Sequence, residues 1–370
     1  MKILAFGTSV AGPLVVLLMA ISATGCSSIG PDTVPRDRSD YAAAIGDSWK
    51  QQTLLNIVKL RYGDFPVFLE IAQVIAGYQM QTTVAAGFSA QNYIPSTVGV
   101  PAAIGGSATV GATYIDRPTV IYAPLTGNDF IKKLMAPVPP VAVLFLLQSG
   151  YSATVVMPLT VDSINGISNE SRRPGMTRPA DSKFLRLTQL LLELQQANAL
   201  QIRIERTKDG ETAVIGFPPA TASPDLAAKI AELRAILGLS RPAQGYAVRY
   251  GGHSGRNDEI AIGTRSMLQV MLELGVLAQV PDADVAAGRA MPGATSGSPA
   301  GGSTSPLLGI LSGSSPPADA YVAVAYKDRW FWIADTDVRS KLLFGSVMLL
   351  FSISDVGVKS ASPVVTVPAN

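Results

Sequence analysis

At 370 residues, with 48% hydrophobic and 15% charged residues, the chain is long enough for two domains and apolar enough to bury a core. Its net charge of +2 comes without a sustained basic stripe, which argues against a nucleic-acid partner. One cysteine, Cys26, and one histidine, His253, exclude an intrachain disulfide and a metal site built on two imidazoles.

In chain order, the first feature is an export signal over residues 1–25. Lys2 supplies the positive charge, and Leu14–Ile21 forms an apolar run. Interrupted nearby by Gly7, Gly12 and Pro13, that run is too short for a permanent span. Small residues, Ser22-Ala23-Thr24-Gly25, then lead to Cys26. The string Ala23-Thr24-Gly25-Cys26 resembles the lipobox of bacterial lipoproteins. The resemblance covers these residues only and departs from the usual pattern at Ala23, where leucine is commoner. It implies that Cys26 is lipidated, with a diacylglycerol thioether and an N-acyl chain, and that several acyl tails hold the chain to a membrane. Ser27 stands where an aspartate would imply inner-membrane retention. In a two-membrane bacterium this implies the outer membrane, facing the periplasm. The alternative is an ordinary secretory signal cut elsewhere, with Cys26 an unmodified thiol.

Residues 26–39 read as a flexible tether. An N-terminal α+β domain is expected over 40–168. It starts with a helix from Asp40 to Tyr62, with Leu55, Val58 and Tyr62 at helical spacing and Gly63 as its stop. Phe65–Tyr78 reads as extended or mixed. Strict alternation follows. Met80, Thr82, Val84, Ala86, Phe88 and Ala90 share one face, against Gln79, Gln81, Thr83, Ala85, Gly87, Ser89 and Gln91. After a Pro/Gly-containing loop, Ile104, Gly106, Ala108, Val110, Ala112 and Tyr114 share one face, against Gly105, Ser107, Thr109, Gly111 and Thr113. Period-two patterning with small residues predicts an amphipathic β-hairpin over 79–115, with a third strand at Pro118–Tyr122. Helices are expected at Gly127–Met135 and Val141–Gln148, a strand at Tyr151–Leu159, and a solvated polar loop at Asn169–Asp181 carrying Arg172, Arg173 and Arg178.

From 181 to 370 a C-terminal α+β domain is expected, with a helix–strand–strand order. The first unit is Asp181–Ala197, Leu200–Arg206 and Thr212–Phe217. The second is Pro224–Leu237, Gly245–Tyr250 and Glu259–Gly263, its helix opened by Ser223 and closed by Gly238. The third is Arg265–Leu277, Ala320–Tyr326 and Trp330–Ala334. Helix Val338–Ser352 and strand Pro363–Val367 end the series. The units read either as a duplication or as ordinary α+β alternation. An insert at 286–318, rich in Gly, Ser, Pro and Ala, is expected to be disordered.

Chemistry is sparse. Gly252-His253-Ser254-Gly255-Arg256 resembles in part the Gly-His-Ser-x-Gly elbow of serine hydrolases, with Arg256 in place of the last glycine. With His253 the sole imidazole and adjacent to Ser254, no Ser-His-Asp triad is available, and a turn between two strands is the expectation. Carboxylates such as Asp64, Asp162, Glu170, Glu193, Asp258 and Glu259 form no pair assignable from sequence. Neither a phosphate-binding glycine loop nor a calcium loop occurs. Trp330-Phe331-Trp332 reads as hairpin core packing. No catalytic, cofactor-binding or metal residue is therefore assigned, and no cofactor is expected.

The overall expectation is a non-enzymatic, lipid-anchored envelope protein of α+β class. Its partners are the membrane, through Cys26, and either further copies of itself or another envelope protein. In the sharper form, each protomer contributes the 79–115 hairpin to an oligomeric outer-membrane pore, with Val84, Phe88, Val110 and Tyr114 facing lipid. The competing expectations are an envelope hydrolase using carboxylates and a periplasmic ligand-binding lipoprotein.

Overall fold

The computed structural model describes residues 29–75, 77–89, 105–173, 176–207, 210–218, 223–240, 245–293 and 307–354. The signal, Cys26 and the strand expected at 363–367 lie outside them. The chain is of α+β class and divides into two compact units: Met1–Ile45 with Glu70–Ala123, and Gly46–Leu69 with Pro124–Asn370.

Helix α1 runs from Ile29 to Arg61 with Pro35 inside it, so residues 29–39, expected as a tether, are helical. Between Val34 and Ala44 its side chains are almost all exposed. Further on, Leu54, Ile57 and Val58 are fully buried at the i, i+3, i+4 spacing of a core-facing stripe. The helix stops where expected, at Gly63 with φ of 76°. Two polar side chains then stand in for a strand. Asn56 donates to Val67 O (2.7 Å) and accepts from Val67 N (3.0 Å), and Gln52 does the same with Leu69 (3.0 and 2.6 Å). The segment 67–69 thus has its backbone groups satisfied before any ladder begins.

In the first unit, β1 (Phe68–Ile75) pairs with β4 (Thr119–Leu125), and β2 (Tyr78–Ser89) pairs with β3 (Gly105–Asp116).

The second unit is built around a six-stranded mixed sheet in the order β6-β5-β12-β11-β10-β9. Its members are β5 (Val161–Ile164), β6 (Ile167–Ser168), β9 (Gln201–Thr207), β10 (Gly210–Gly216), β11 (Tyr246–Tyr250) and β12 (Glu259–Thr264). Ile260, Ala261, Ile262 and Thr264 on β12 are all buried, as befits a central strand covered on both faces. Gly263 pairs with Ser163 of β5. A Cβ there would lie 2.7 Å from Ser163 Oγ and 3.4 Å from Gly252 Cα, so any side chain would force the Ser163 hydroxyl to move.

Helices α2 (Asn128–Met135), α3 (Pro140–Gln148), α4 (Ala153–Thr160), α5 (Ser182–Gln196) and α6 (Pro224–Leu237) precede or alternate with these strands. Helix α6 has the caps its sequence predicts: Ser223 Oγ accepts from Leu226 N at 3.3 Å, and Gly238 closes the helix in the left-handed region. Helix α4 corrects the strand expected at Tyr151–Leu159. The β-branched run Thr154-Val155-Val156 favours extension locally, but Gln195 of α5 overrides it. Gln195 Nε2 donates to Leu147 O (2.6 Å) and Tyr151 O (2.7 Å), and Ala153 N donates to its Oε1 (3.2 Å). One side chain thereby satisfies the end of α3 and the start of α4.

Helix α7 (Met267–Gly275) opens with a capping box between Ser266 and Gln269, and α8 (Asp282–Ala286) follows. A second sheet has the order β13-β15-β14, from Leu311–Gly313, Arg329–Ala334 and Ala320–Tyr326. Helix α9 (Val338–Ser354) ends the described chain. In the second sheet Phe331 and Ile333 are fully buried. Trp330 and Trp332 occupy the alternate positions and are half-buried, so core packing holds for the phenylalanine and only in part for the tryptophans.

Helix–strand–strand order recurs as expected, but the units are not equivalent. β9/β10 and β14/β15 are antiparallel hairpins, whereas β11 and β12 run parallel, and β14/β15 lies in a separate sheet. The insert is also corrected. Ala290, Leu308 and Ile310 are buried and Leu311–Gly313 is a strand, because Leu307-Leu308 and Ile310-Leu311 carry enough apolar surface to dock. Of the insert, residues 294–306 lie outside the described residues.

Candidate functional site

The Gly-His-Ser string lies in the loop from β11 to β12. Ser254 Oγ is 2.9 Å from Glu259 Oε1 and 3.0 Å from Arg256 O, and it accepts from Arg256 N at 3.0 Å. A Cβ on Gly166 would lie 3.0 Å from His253 Nδ1, so the imidazole packs against the β5–β6 turn. The serine hydroxyl serves the loop itself.

The polar loop expected at Asn169–Asp181 is instead a hairpin, β7 (Ser171–Arg173) with β8 (Met176–Arg178), and its arginines enter an ion network. At the centre is Glu273 of α7, 4% exposed. Its Oε1 accepts from Ser171 Oγ (3.1 Å) and lies 3.3 Å from Arg173 Nε. Its Oε2 accepts from Arg172 N (2.8 Å). Arg265, 2% exposed, spans Glu273 (3.7 Å) and Asp162 (4.0 Å), and donates to the carbonyls of Pro158 (2.7 Å) and Glu170. Burial pulls the Arg265 guanidinium below its ordinary value, and Glu273 and Asp162 partly restore it. Arg173 and Arg178 each reach Asp162 at 3.4 Å, and Arg172 pairs with Glu170. Asn169 accepts no place in the ion pairs but ties the loop by donating to Val161 O at 2.6 Å and Pro158 O at 3.0 Å. The acids here are spent on arginines and backbone, so the network reads as structural. Sequence reasoning missed Glu273 and Arg265; a charge embedded in an apolar helix, Val270-Met271-Leu272-Glu273-Leu274, was the available signal.

A second polar group joins Tyr62 and Tyr326, whose rings meet edge-on at 5.5 Å. Tyr62 donates to Asp284 at 3.0 Å and Tyr326 donates to Asp64. Lys327 lies 4.8 Å from the Tyr62 ring and 3.2 Å from Asp64. Burial, with the bond to Asp284, pushes the Tyr62 hydroxyl up to about 12, so it stays neutral and is no nucleophile at neutral pH. Among the described residues no group of His, Cys, Asp and Glu could hold a metal ion. An interior void between α3, α5, α6 and the large sheet is lined only by apolar side chains, including Leu144, Leu187, Phe217 and Ile262.

The remaining candidate is the ribbon. β2 and β3 are antiparallel and in register from Tyr78↔Asp116 to Ser89↔Gly105 without a bulge. Val84 stands opposite Val110, Tyr114 opposite Met80, and Phe88 opposite Gly106. The two apolar sets predicted from alternation therefore fall opposite each other, as do the two small-polar sets (Gln81↔Thr113, Thr83↔Gly111, Ala85↔Thr109). Thr83, Gly111 and Thr113, on the small-polar set, are exposed. At the base, Arg117 N donates to Gly77 O at 2.9 Å, linking the ladder to β1/β4. A Cβ on Gly77 would lie 3.0 Å from Arg117 O, which is why glycine suits this crossing. Among the described residues β2 and β3 pair only with each other, leaving two open edges.

A further signal lies in the sequence itself. From Ile71 to Ile115 there is no Asp, Glu, Lys, Arg or His, in a chain that is 15% charged; Glu70 and Asp116-Arg117 bracket the stretch. That gap, which alternation alone does not reveal, marks the ribbon and its tip as one uncharged segment. No helix among the described residues is long and apolar enough to cross a membrane, which says nothing of a β-barrel. Comparison with protein families, with curated proteins and with solved structures finds no match for this chain.

Proposed function

We propose that this protein is a non-enzymatic, lipid-anchored component of the cell envelope, and that each protomer contributes the ribbon Tyr78–Asp116 to an oligomeric β-barrel in the outer membrane. The observation that carries this reading is an in-register, two-stranded ladder with no Asp, Glu, Lys, Arg or His between Glu70 and Asp116. Each strand has 12 residues, about 40 Å at about 3.3 Å per residue. Tilted by about 40°, it covers the roughly 25–30 Å of apolar membrane thickness. A free two-stranded ribbon is marginal in water, and its open edges are not tolerated in lipid. Copies of the same ribbon, edge to edge, satisfy both. An ionised side chain in hydrocarbon is costly, and here the segment brings none until Asp116, the last residue of β3. In this reading Val84, Phe88, Val110 and Tyr114 face the lipid, Cys26 carries the acyl tails, and the chain faces the periplasm. No carboxylate pair described above is free for hydrolysis, and the apolar void offers no polar group to orient a soluble ligand.

The test is the size of the lipidated full-length protein extracted in mild detergent, with conductance after reconstitution. A ring-sized oligomer with channel activity is expected. Val84→Arg places a cation near mid-membrane at a cost of about 2–4 kcal/mol per protomer. It should leave a lipid-anchored monomer without conductance. A wild-type protein that is monomeric and silent overturns the reading.

A further inference from the structure

We infer that the bore of this barrel is electrically neutral and that the channel passes small hydrophilic solutes without regard to the sign of their charge. The inference rests on the pore reading and concerns its selectivity. With the apolar set facing lipid, the opposite set lines the bore. It is carried by Gln79, Gln81 and Thr83 on β2 and by Ser107, Thr109 and Thr113 on β3, interleaved with Gly and Ala. These side chains are hydrogen-bond donors and acceptors with no ionisable group. Thr83 and Thr113 are solvent-exposed in the protomer. Channels that discriminate by charge place rings of like-charged side chains at a constriction, and the bore-facing set of this ladder supplies none.

The flanking charges do not replace such a ring. Asp116 and Arg117 are adjacent and opposite in sign, so each protomer adds no net charge there. Glu70 lies near the start of β1, about 17 Å of strand before that strand ends at Ile75, at about 3.3 Å per residue. That exceeds the Debye length of about 10 Å at 0.1 M salt, so its field is screened before the bore.

The experiment uses the full-length lipidated protein in a planar bilayer separating unequal KCl concentrations. A reversal potential near zero is expected. Thr83→Asp should make the same channel cation-selective and Thr83→Lys anion-selective, while Thr83→Asn leaves it unselective. Strong selectivity in the wild-type channel overturns this inference and leaves the pore standing. A conducting Thr83→Asp channel with unchanged reversal potential removes Thr83 from the bore and overturns the inference as well. Absence of any wild-type conductance overturns both readings. The wild-type measurement decides even if the charged variants fail to assemble.

Discussion

Glu273 and Arg265 lie almost wholly out of water, and the arginines of the β7/β8 hairpin pair with acids around them: Arg173 with Glu273 and Asp162, Arg178 with Asp162, and Arg172 with Glu170. Thr83, Gly111 and Thr113 lie in the open, within a stretch from Ile71 to Ile115 that carries no charge at all. The usual distribution, charge outside and neutrality inside, is inverted between these regions. Where the protein buries charge, it supplies a partner for each oxygen. Where, among the described residues, it leaves a ladder with two open edges, it carries no charged side chain before Asp116. The difference teaches that burial alone does not decide where this chain keeps its charge.

The comparison breaks most readily at Glu273. Glu273→Ala leaves Arg265 and Arg173 without their buried counter-ion, at an expected cost of about 3–5 kcal/mol. Chemical unfolding of the full chain measures it. A loss near zero would mean that the network is not needed for stability. Gln195→Ala removes partners from two helix ends in the same unit and should cost about 1–3 kcal/mol, read the same way. The smallest effect concerns pH. Tyr62, raised in the fold from 10.0 to about 12, keeps its proton where the unfolded chain loses it. Stability should therefore be full below about pH 10 and fall as the pH rises towards 12. Tyr62→Phe should flatten that part of the profile, and a slope unchanged in the variant would assign it elsewhere. At the acid end the sign reverses. The bond from Tyr326 holds Asp64 below the usual carboxylate range, and Arg289 and Tyr62 do so for Asp284. Their contribution is present at neutral pH and disappears as acid protonates them.

The ribbon was legible because parity is local. Once β2 and β3 pair without a bulge, alternation along each strand fixes which residues fall opposite one another. Helix α6 was legible for the same reason, since Ser223, Pro224 and Gly238 act on the turns beside them. The ion network was not, because its partners are far apart in sequence. Asp162 and Glu170 meet Arg265 and Glu273 only through the fold, so an arginine-rich loop read alone looks solvated. Helix α4 failed similarly. Its own residues favour a strand, and the deciding group, Gln195, sits on α5. Leu308 and Ile310 were submerged in a Gly/Ser-rich average, although a short apolar run is enough to dock a loop end.

The pairing of β5 with β12 has a consequence for biogenesis. Ile164 meets Ile262, and Asn165 exchanges bonds with Ala261 at 2.7 and 2.9 Å, across nearly the whole length of the intervening sheet sequence. A chain delivered N-terminus first therefore presents β5 long before its ladder partner emerges. Closure of so non-local a contact is slow, and the interval is one in which unpaired edges must be kept from other chains.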